Sequence, residues 1–124
     1  MHILLVEDNP VAAKSIELKL TAEGHNVFVT DLGEDAIELT AVYDYDLVLL
    51  DLDLSDMEGL EVLRAVRAKK IRTPVIILTA KDLTNEDHQR LNGRVTDVIG
   101  KHGFLAAKIL PQLREYLDGP AKKT

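Results

Sequence analysis

Asp46-Leu47-Val48-Leu49-Leu50-Asp51 is the most informative stretch of this 124-residue chain. Its four consecutive aliphatic residues predict a short strand that is buried on both faces, as strands of parallel sheets are. The strand ends at Asp51, and open α/β sheets place their binding and catalytic groups at the carboxyl ends of such strands. Asp51 is therefore the first candidate for a functional residue.

Three other strand-like runs also end in polar side chains. The runs and the residues that follow them are His2–Val6 with Glu7 and Asp8, Val75–Leu78 with Thr79, and Val95–Gly100 with Lys101. Because parallel strands present their carboxyl ends at one edge of a sheet, three carboxylates, one hydroxyl and one ammonium group would converge there. This combination suits a divalent cation together with a phosphoryl group.

Helical patterns separate the strands. Asn9 and Pro10 predict the N-cap and the first residue of a helix, which ends near Gly24. The other predicted elements are a second strand at Asn26–Thr30, helices at Glu34–Val42 and about Met57–Lys69, a short helix opened by a capping box of Thr84 and Asp87, and a last helix interrupted at Pro111.

This alternation predicts an α/β fold, namely a doubly wound, five-stranded parallel sheet with helices on both faces. Right-handed crossovers leave few topologies. The strand order 2-1-3-4-5 would set the first and third strands side by side, where the winding direction reverses. Glu7 and Asp8 would then lie next to Asp51.

Composition excludes several classes of protein. The chain has no Cys, so disulfides, thiol nucleophiles and thiolate metal sites are excluded. Its net charge of −6 argues against a nucleic-acid surface. No apolar run approaches the roughly 20 residues of a membrane helix, and the amino terminus is no signal peptide. These features predict a cytoplasmic protein with one domain at residues 1–118 and a flexible tail at 119–124.

The residues at the strand ends resemble those of a response-regulator receiver domain of two-component systems. The family pattern falls on Glu7, Asp8, Asp51, Thr79 and Lys101. The loop from Asp51 to Gly59 is also similar, with Ser55 where Pro is usual. The first eighty residues most resemble receivers of the cell-cycle master-regulator type from alphaproteobacteria. The resemblance covers nearly all of the chain and implies the flavodoxin-like receiver fold.

The resemblance also implies a function for each residue. Asp51 would take a phosphoryl group from a phosphohistidine on a sensor histidine kinase or a histidine phosphotransferase. Mg²⁺ would be bound by Asp8 and Asp51 directly, by Glu7 through a water, and by the backbone carbonyl of Asp53. Thr79 and Lys101 would bind the phosphoryl oxygens. Such a phosphorelay protein is no enzyme beyond its own phosphorylation and dephosphorylation, and it signals by changing its affinity for an output partner.

Two departures from the family pattern bear on signalling. Lys101 is usually followed by Pro, whereas His102 follows here. Three residues before Lys101, receivers usually carry a Tyr or Phe ring that turns inward on activation, and this position is Val98. We therefore expect a chain that stays mainly monomeric.

Two other functions fit parts of the sequence. Asp51 and Asp53 also resemble the start of haloacid-dehalogenase-type phosphatases, as nucleophile and general acid/base respectively. In that family the further acidic pair lies downstream, whereas here it lies upstream at Glu7 and Asp8. The other alternative is a pseudo-receiver that only binds partners, and the presence of all three carboxylates argues against it.

Overall fold

Strands and helices alternate along the whole described part of the chain. The computed structural model describes residues 1–69, 72–79, 83–91, 95 and 97–100. The elements are β1 (His2–Val6), α1 (Pro10–Ala22), β2 (Asn26–Thr30), α2 (Gly33–Val42), β3 (Leu47–Asp51), α3 (Gly59–Lys69), β4 (Val75–Thr79), α4 (Asn85–Leu91) and β5 (Asp97–Gly100). None of these described helices is long and apolar enough to cross a membrane.

The five strands form one parallel sheet in the order β2-β1-β3-β4-β5, which confirms the predicted topology. The register pairs Val6 with Leu50, and Thr79 with Gly100. Neighbouring strands therefore end at nearly the same level, and the residues that follow them share one edge of the sheet.

The apolar side chains of the sheet divide into two core clusters, one on each face. Ile3 and Leu5 pack with Ile16 and Leu20 of α1. Leu4 and the rest of the second face pack with residues of α2, α3 and α4. Helices therefore cover both faces, as the doubly wound prediction requires.

The two ends of α1 have the predicted caps. The side-chain oxygen of Asn9 accepts hydrogen bonds from the N–H groups of Val11 and Ala12, both at 3.0 Å. Pro10 occupies the first turn, where its missing N–H leaves no bond unmade. Gly24 follows the helix with a φ of 93°, a conformation that side chains disfavour. Local sequence therefore defines both ends of this helix.

The amino terminus of α2 is capped from elsewhere in the chain. Leu32 precedes the helix and makes no side-chain cap. Instead the carboxylate of Asp56 accepts hydrogen bonds from the N–H groups of Gly33 at 2.9 Å and Glu34 at 3.0 Å. These bonds hold the pKa of Asp56 below its ordinary value, since they favour the charged form. The loop after β3 is thus tied to α2.

Several boundaries differ from the predicted ones. The third strand begins at Leu47, one residue later than predicted, and Asp46 before it bonds to His2 through both its N–H and its carboxylate. The third helix begins at Gly59 because an isolated bridge between Asp53 and Glu58 closes the preceding loop. The fifth strand begins at Asp97.

The capping box before α4 is confirmed. Thr84 and Asp87 exchange side-chain and backbone hydrogen bonds at 3.0 and 3.1 Å. The break at Pro111 and the tail at 119–124 lie outside the described residues, so the predicted domain boundary stays a prediction.

We predict that Asp56→Ala lowers the melting temperature by a few degrees at pH 7, because two N–H groups of α2 lose their acceptor. The pKa of Asp56 is lowered on folding from its ordinary 3.8, so its stabilisation is complete above that pH. It disappears as the pH falls through the lower, folded value. Calorimetry from pH 7 to pH 2 should show that the melting temperatures of the wild type and the variant converge.

Asp56→Asn is the matched control for the charge. It keeps a side-chain oxygen as acceptor, so its melting temperature at pH 7 should fall by less than that of Asp56→Ala. A difference between wild type and Asp56→Ala that stays constant down to pH 2 would contradict the assignment to a charged cap.

Candidate functional site

Three carboxylates lie together at the carboxyl edge of the sheet. Ligand oxygens of Glu7, Asp8 and Asp51 all lie within 4.8 Å of one another. Glu7 and Asp8 follow β1 directly, and Asp51 ends the neighbouring β3. The pairing of Val6 with Leu50 therefore produces the predicted juxtaposition.

Burial and backbone hydrogen bonds hold two of these carboxylates in place. The exposed fractions of Glu7 and Asp51 are only 1% and 2%, while Asp8 is half-buried. The Asn9 N–H donates to Glu7 at 3.1 Å, and the Asp53 N–H donates to Asp51 at 3.0 Å. Three crowded carboxylates repel one another unless a cation joins them, and hard divalent cations prefer oxygen ligands. The site is therefore chemically suited to such a cation.

The fourth strand adds a hydroxyl beside the acids. Asp51 pairs with Leu78, so Thr79 lies one residue further along the neighbouring strand, and it is buried. Thr79 pairs in turn with Gly100, the residue before Lys101. Lys101 itself lies outside the described residues, so its predicted position at the site stays a prediction.

Residues 3–110 match the sequence pattern of the response regulator receiver domain. The chain belongs to the response regulator receiver family. Receiver domains of response regulators are not classical enzymes. Family membership and the position of the acidic pair, which comes before Asp51 in the chain and lies beside it in the fold, do not favour a phosphatase of the haloacid-dehalogenase type. They do not favour a pseudo-receiver either.

A curated relative supports the predicted subgroup. The cell cycle transcriptional regulator CtrA of Caulobacter vibrioides is 46% identical over 101 residues, which cover 82% of this receiver and 44% of CtrA. The receiver thus spans less than half the length of that relative. The predicted resemblance to cell-cycle regulators of alphaproteobacteria is confirmed.

Two solved structures show the same fold. A CheY-like receiver from Methanospirillum hungatei JF-1 matches with a TM-score of 0.86 at 25% identity. The match covers 99% of this chain and 98% of the Methanospirillum chain. The receiver domain of the sensor histidine kinase PA1611 from Pseudomonas aeruginosa PAO1 has a TM-score of 0.80 at 32% identity, covering 93% and 95%. That second structure has a magnesium ion coordinated in its active site cleft.

Asp53 is not one of the three clustered carboxylates. It lines a small cavity between the loop after β3 and α4, together with Glu58 and Arg90. Arg90 approaches Glu58 at 3.9 Å, which is a weak, largely exposed ion pair. The predicted metal contact of Asp53 uses its backbone carbonyl, and this contact stays a prediction.

Gly59 has a role in the receiver site that the sequence analysis did not assign. A Cβ atom at this position would lie 2.6 Å from the carbonyl oxygen of Asp51 and 2.7 Å from the Cα of Leu52. Only glycine allows the start of α3 to pack so closely on the end of β3. The signal in the sequence was a Gly at the end of the acidic loop, just before an amphipathic helix.

Val98 occupies the strand position where receivers usually carry an aromatic ring. It pairs with Ile77 and packs, half-buried, against the core cluster that includes α2, α3 and α4. A valine has no ring that could turn between an outward and an inward position. The departure noted in the sequence therefore lies inside the packed part of the sheet.

We predict that Asp8→Ala weakens Mg²⁺ binding at least roughly tenfold and raises the melting temperature in metal-free buffer. The reason is that removing one of three crowded carboxylates relieves their repulsion when no cation is present. Calorimetry with and without Mg²⁺ measures both effects. Asp31→Ala is the control, because Asp31 is a nearby exposed acid outside the cluster. A less stable Asp8→Ala without Mg²⁺ would show that Asp8 mainly supports the fold.

Proposed function

We propose that this receiver accepts a phosphoryl group on Asp51 in the presence of Mg²⁺ and thereby changes its affinity for an output partner. The observation that carries the proposal is the cluster of Glu7, Asp8 and Asp51, in which a backbone N–H orients the buried Asp51. The chain thus acts as one step of a two-component phosphorelay. Its own phosphorylation and dephosphorylation are its only chemistry.

The oxygen-only donor set fits Mg²⁺. Asp8 and Asp51 would hold the ion directly, Glu7 would hold it through a water, and the backbone carbonyl of Asp53 would be the remaining protein ligand. The magnesium ion in the PA1611 receiver supports this choice of metal. When bound, the ion neutralises the carboxylates and the phosphoryl oxygens.

The proposed reaction is an in-line phosphoryl transfer. An Asp51 carboxylate oxygen forms a bond to phosphorus while the bond from phosphorus to the donor's imidazole nitrogen breaks, and the electron pair leaves with that nitrogen. The Thr79 hydroxyl and the Lys101 ammonium group bind phosphoryl oxygens while negative charge redistributes among those oxygens. The product is an acyl phosphate on Asp51.

The surface beside the acids supports a helical phosphodonor protein. Val11 and Leu18 are exposed apolar side chains on α1, which begins two residues after Asp8. Exposed apolar residues at helical spacing offer a packing face for another helix. A sensor histidine kinase or a histidine phosphotransferase is the proposed partner. The net charge of −6 supports an output partner other than nucleic acid for this domain, and we place the chain in the cytoplasm.

We predict that acetyl phosphate with Mg²⁺ adds one phosphoryl group to the wild type and none to Asp51→Asn. The amide cannot act as the attacking carboxylate. Intact-mass spectrometry counts the adducts directly.

Asp53→Asn is the matched control, since it removes a carboxylate two residues away and leaves the backbone carbonyl. It should still take up one phosphoryl group. Equal labelling of wild type and Asp51→Asn would refute the assignment, and repeated turnover of a phosphomonoester that depends on Asp53 would favour a phosphatase.

We also predict that the chain stays mainly monomeric at micromolar concentration with or without beryllofluoride. A phosphate-driven response needs two discrete arrangements, and Val98 supplies no ring to distinguish them. Sedimentation velocity of both states tests this prediction. Val98→Tyr restores the ring and should show the larger difference between the states. A clear shift to dimer in the wild type would show that the ring is not required.

A further inference from the structure

An apolar groove runs along the edge of the sheet farthest from β5. It lies between β2 and the second half of α2, and its lining includes Phe28, Val29, Leu39 and Tyr43. The exposed fractions of Phe28 and Tyr43 are 47% and 58%, which is unusual for aromatic side chains outside an interface. The groove is separate from the acidic cluster and takes no part in the proposed phosphoryl transfer.

Aromatic side chains give the floor of the groove a fixed shape. The buried ring of Tyr45 makes edge-to-face contacts with Phe28 at 5.8 Å and Tyr43 at 6.5 Å between ring centroids. The His2 ring also lies near Phe28, tilted by 36° and 6.1 Å away between ring centroids. Rings held by such contacts lose little conformational freedom when a partner covers them.

The edge of β2 beside the groove offers backbone hydrogen bonds. Asn26 donates its N–H to Met1, and the Thr30 carbonyl accepts from Glu7, so both residues bond towards β1. By the two-residue period of a strand, Val27 and Val29 point their N–H and carbonyl groups away from β1. The described part of the chain places no strand beyond β2.

Protein edge strands are usually protected by charges, prolines or bulges. The sequence of β2 is Asn-Val-Phe-Val-Thr, and it pairs with β1 in continuous register. It therefore has none of these protections, and a further strand can add to it.

The charges around the groove indicate which kind of added strand would bind there. Asp44 lines it at one end, and Asp35 and Glu38 line its continuation along α2. The residues that line the groove or its continuation include no Lys or Arg. Among them, His2 is the one side chain that can carry a positive charge. A segment with cationic side chains would complement this potential.

From this geometry we infer that the edge of β2 and the adjoining groove bind an extended, basic segment of a partner protein by strand addition. The segment pairs its backbone with Val27 and Val29. Every second side chain of the segment faces the groove. The central ones of this set are apolar and lie beside Phe28 and Tyr43, and the outer ones are Lys or Arg and face Asp44 at one end and Asp35 and Glu38 along the continuation. This surface is a second interaction site, independent of Asp51.

A second copy of the chain fits this surface less well. Two copies paired through β2 would each bring the same acids of the groove to the shared edge, and each copy carries a net charge of −6. Like charges placed opposite each other across an interface disfavour association. The charge of the groove therefore favours a different protein.

The test uses an acetylated and amidated Lys-Thr-Val-Thr-Val-Thr-Lys peptide as the probe, in which the Lys and Val side chains share one face of an extended strand. Amide NMR of the whole chain at low salt should show shifts concentrated in Val27–Thr30, Leu39 and Tyr43. The matching Glu-Thr-Val-Thr-Val-Thr-Glu peptide should produce none. Binding should weaken as salt rises, since the complementary charges are exposed.

Two pairs of variants separate backbone pairing from groove contacts. Val29→Pro removes an outward N–H at a position where an edge strand tolerates proline, and it should weaken binding roughly two- to tenfold, whereas Val29→Thr should not. Phe28→Lys should abolish binding through charge and lost contact, whereas Phe28→Tyr should retain it. Spectra of the free variants show whether each one is folded.

Several results would overturn the inference. They are binding of the peptide with Glu at both ends at equal affinity, shifts confined to Glu7, Asp8 and Asp51, and no shifts at all. Sedimentation of the free chain provides the last test, because a dimer abolished by Phe28→Lys would assign the surface to a second copy instead.

Discussion

The pairing of β1 with β3 is the constraint on which the site depends. Each strand alone is a short apolar segment followed by acid, with nothing to keep its carboxylates near those of the other. Once Val6 lies beside Leu50, the chain after β1 and the end of β3 must share one edge, and three carboxylates meet within 4.8 Å. Apolar burial on both faces of these strands offsets the repulsion that this crowding creates.

The loop after β3 connects that site to the helices on one face. It begins at Asp51, whose carboxylate accepts the Asp53 N–H, and Gly59 brings it back against the end of β3. Between these points Asp56 caps α2, and Glu58 lies near Arg90 of α4. A loop with these contacts ties the surroundings of Asp51 directly to α2, and more weakly to α4. Val98, by contrast, packs against this core where a receiver usually has a ring.

Much of this could be predicted from the sequence because the signals are local or periodic. The caps of α1, the capping box before α4 and the buried strands each depend on residues close in the chain, and all were confirmed. The parallel order followed from alternation and handedness, which leave few alternatives. The grouping of Glu7, Asp8 and Asp51 followed from that order. The role of Lys101 was likewise expected from its place after the fifth strand, and it stays a prediction.

Strand ends, helix periods and cap residues can be recognised in short stretches of sequence. These signals were sufficient to predict the fold class and the acidic cluster. The cap of α2 by Asp56 joins residues more than twenty positions apart, and no local pattern indicates it. The same holds for the contact of Gly59 with the end of β3 and for the groove at Phe28 and Tyr43. These features arise where separate elements meet in space. Their distances depend on how helices pack on the twisted sheet, and periodicity does not contain that information.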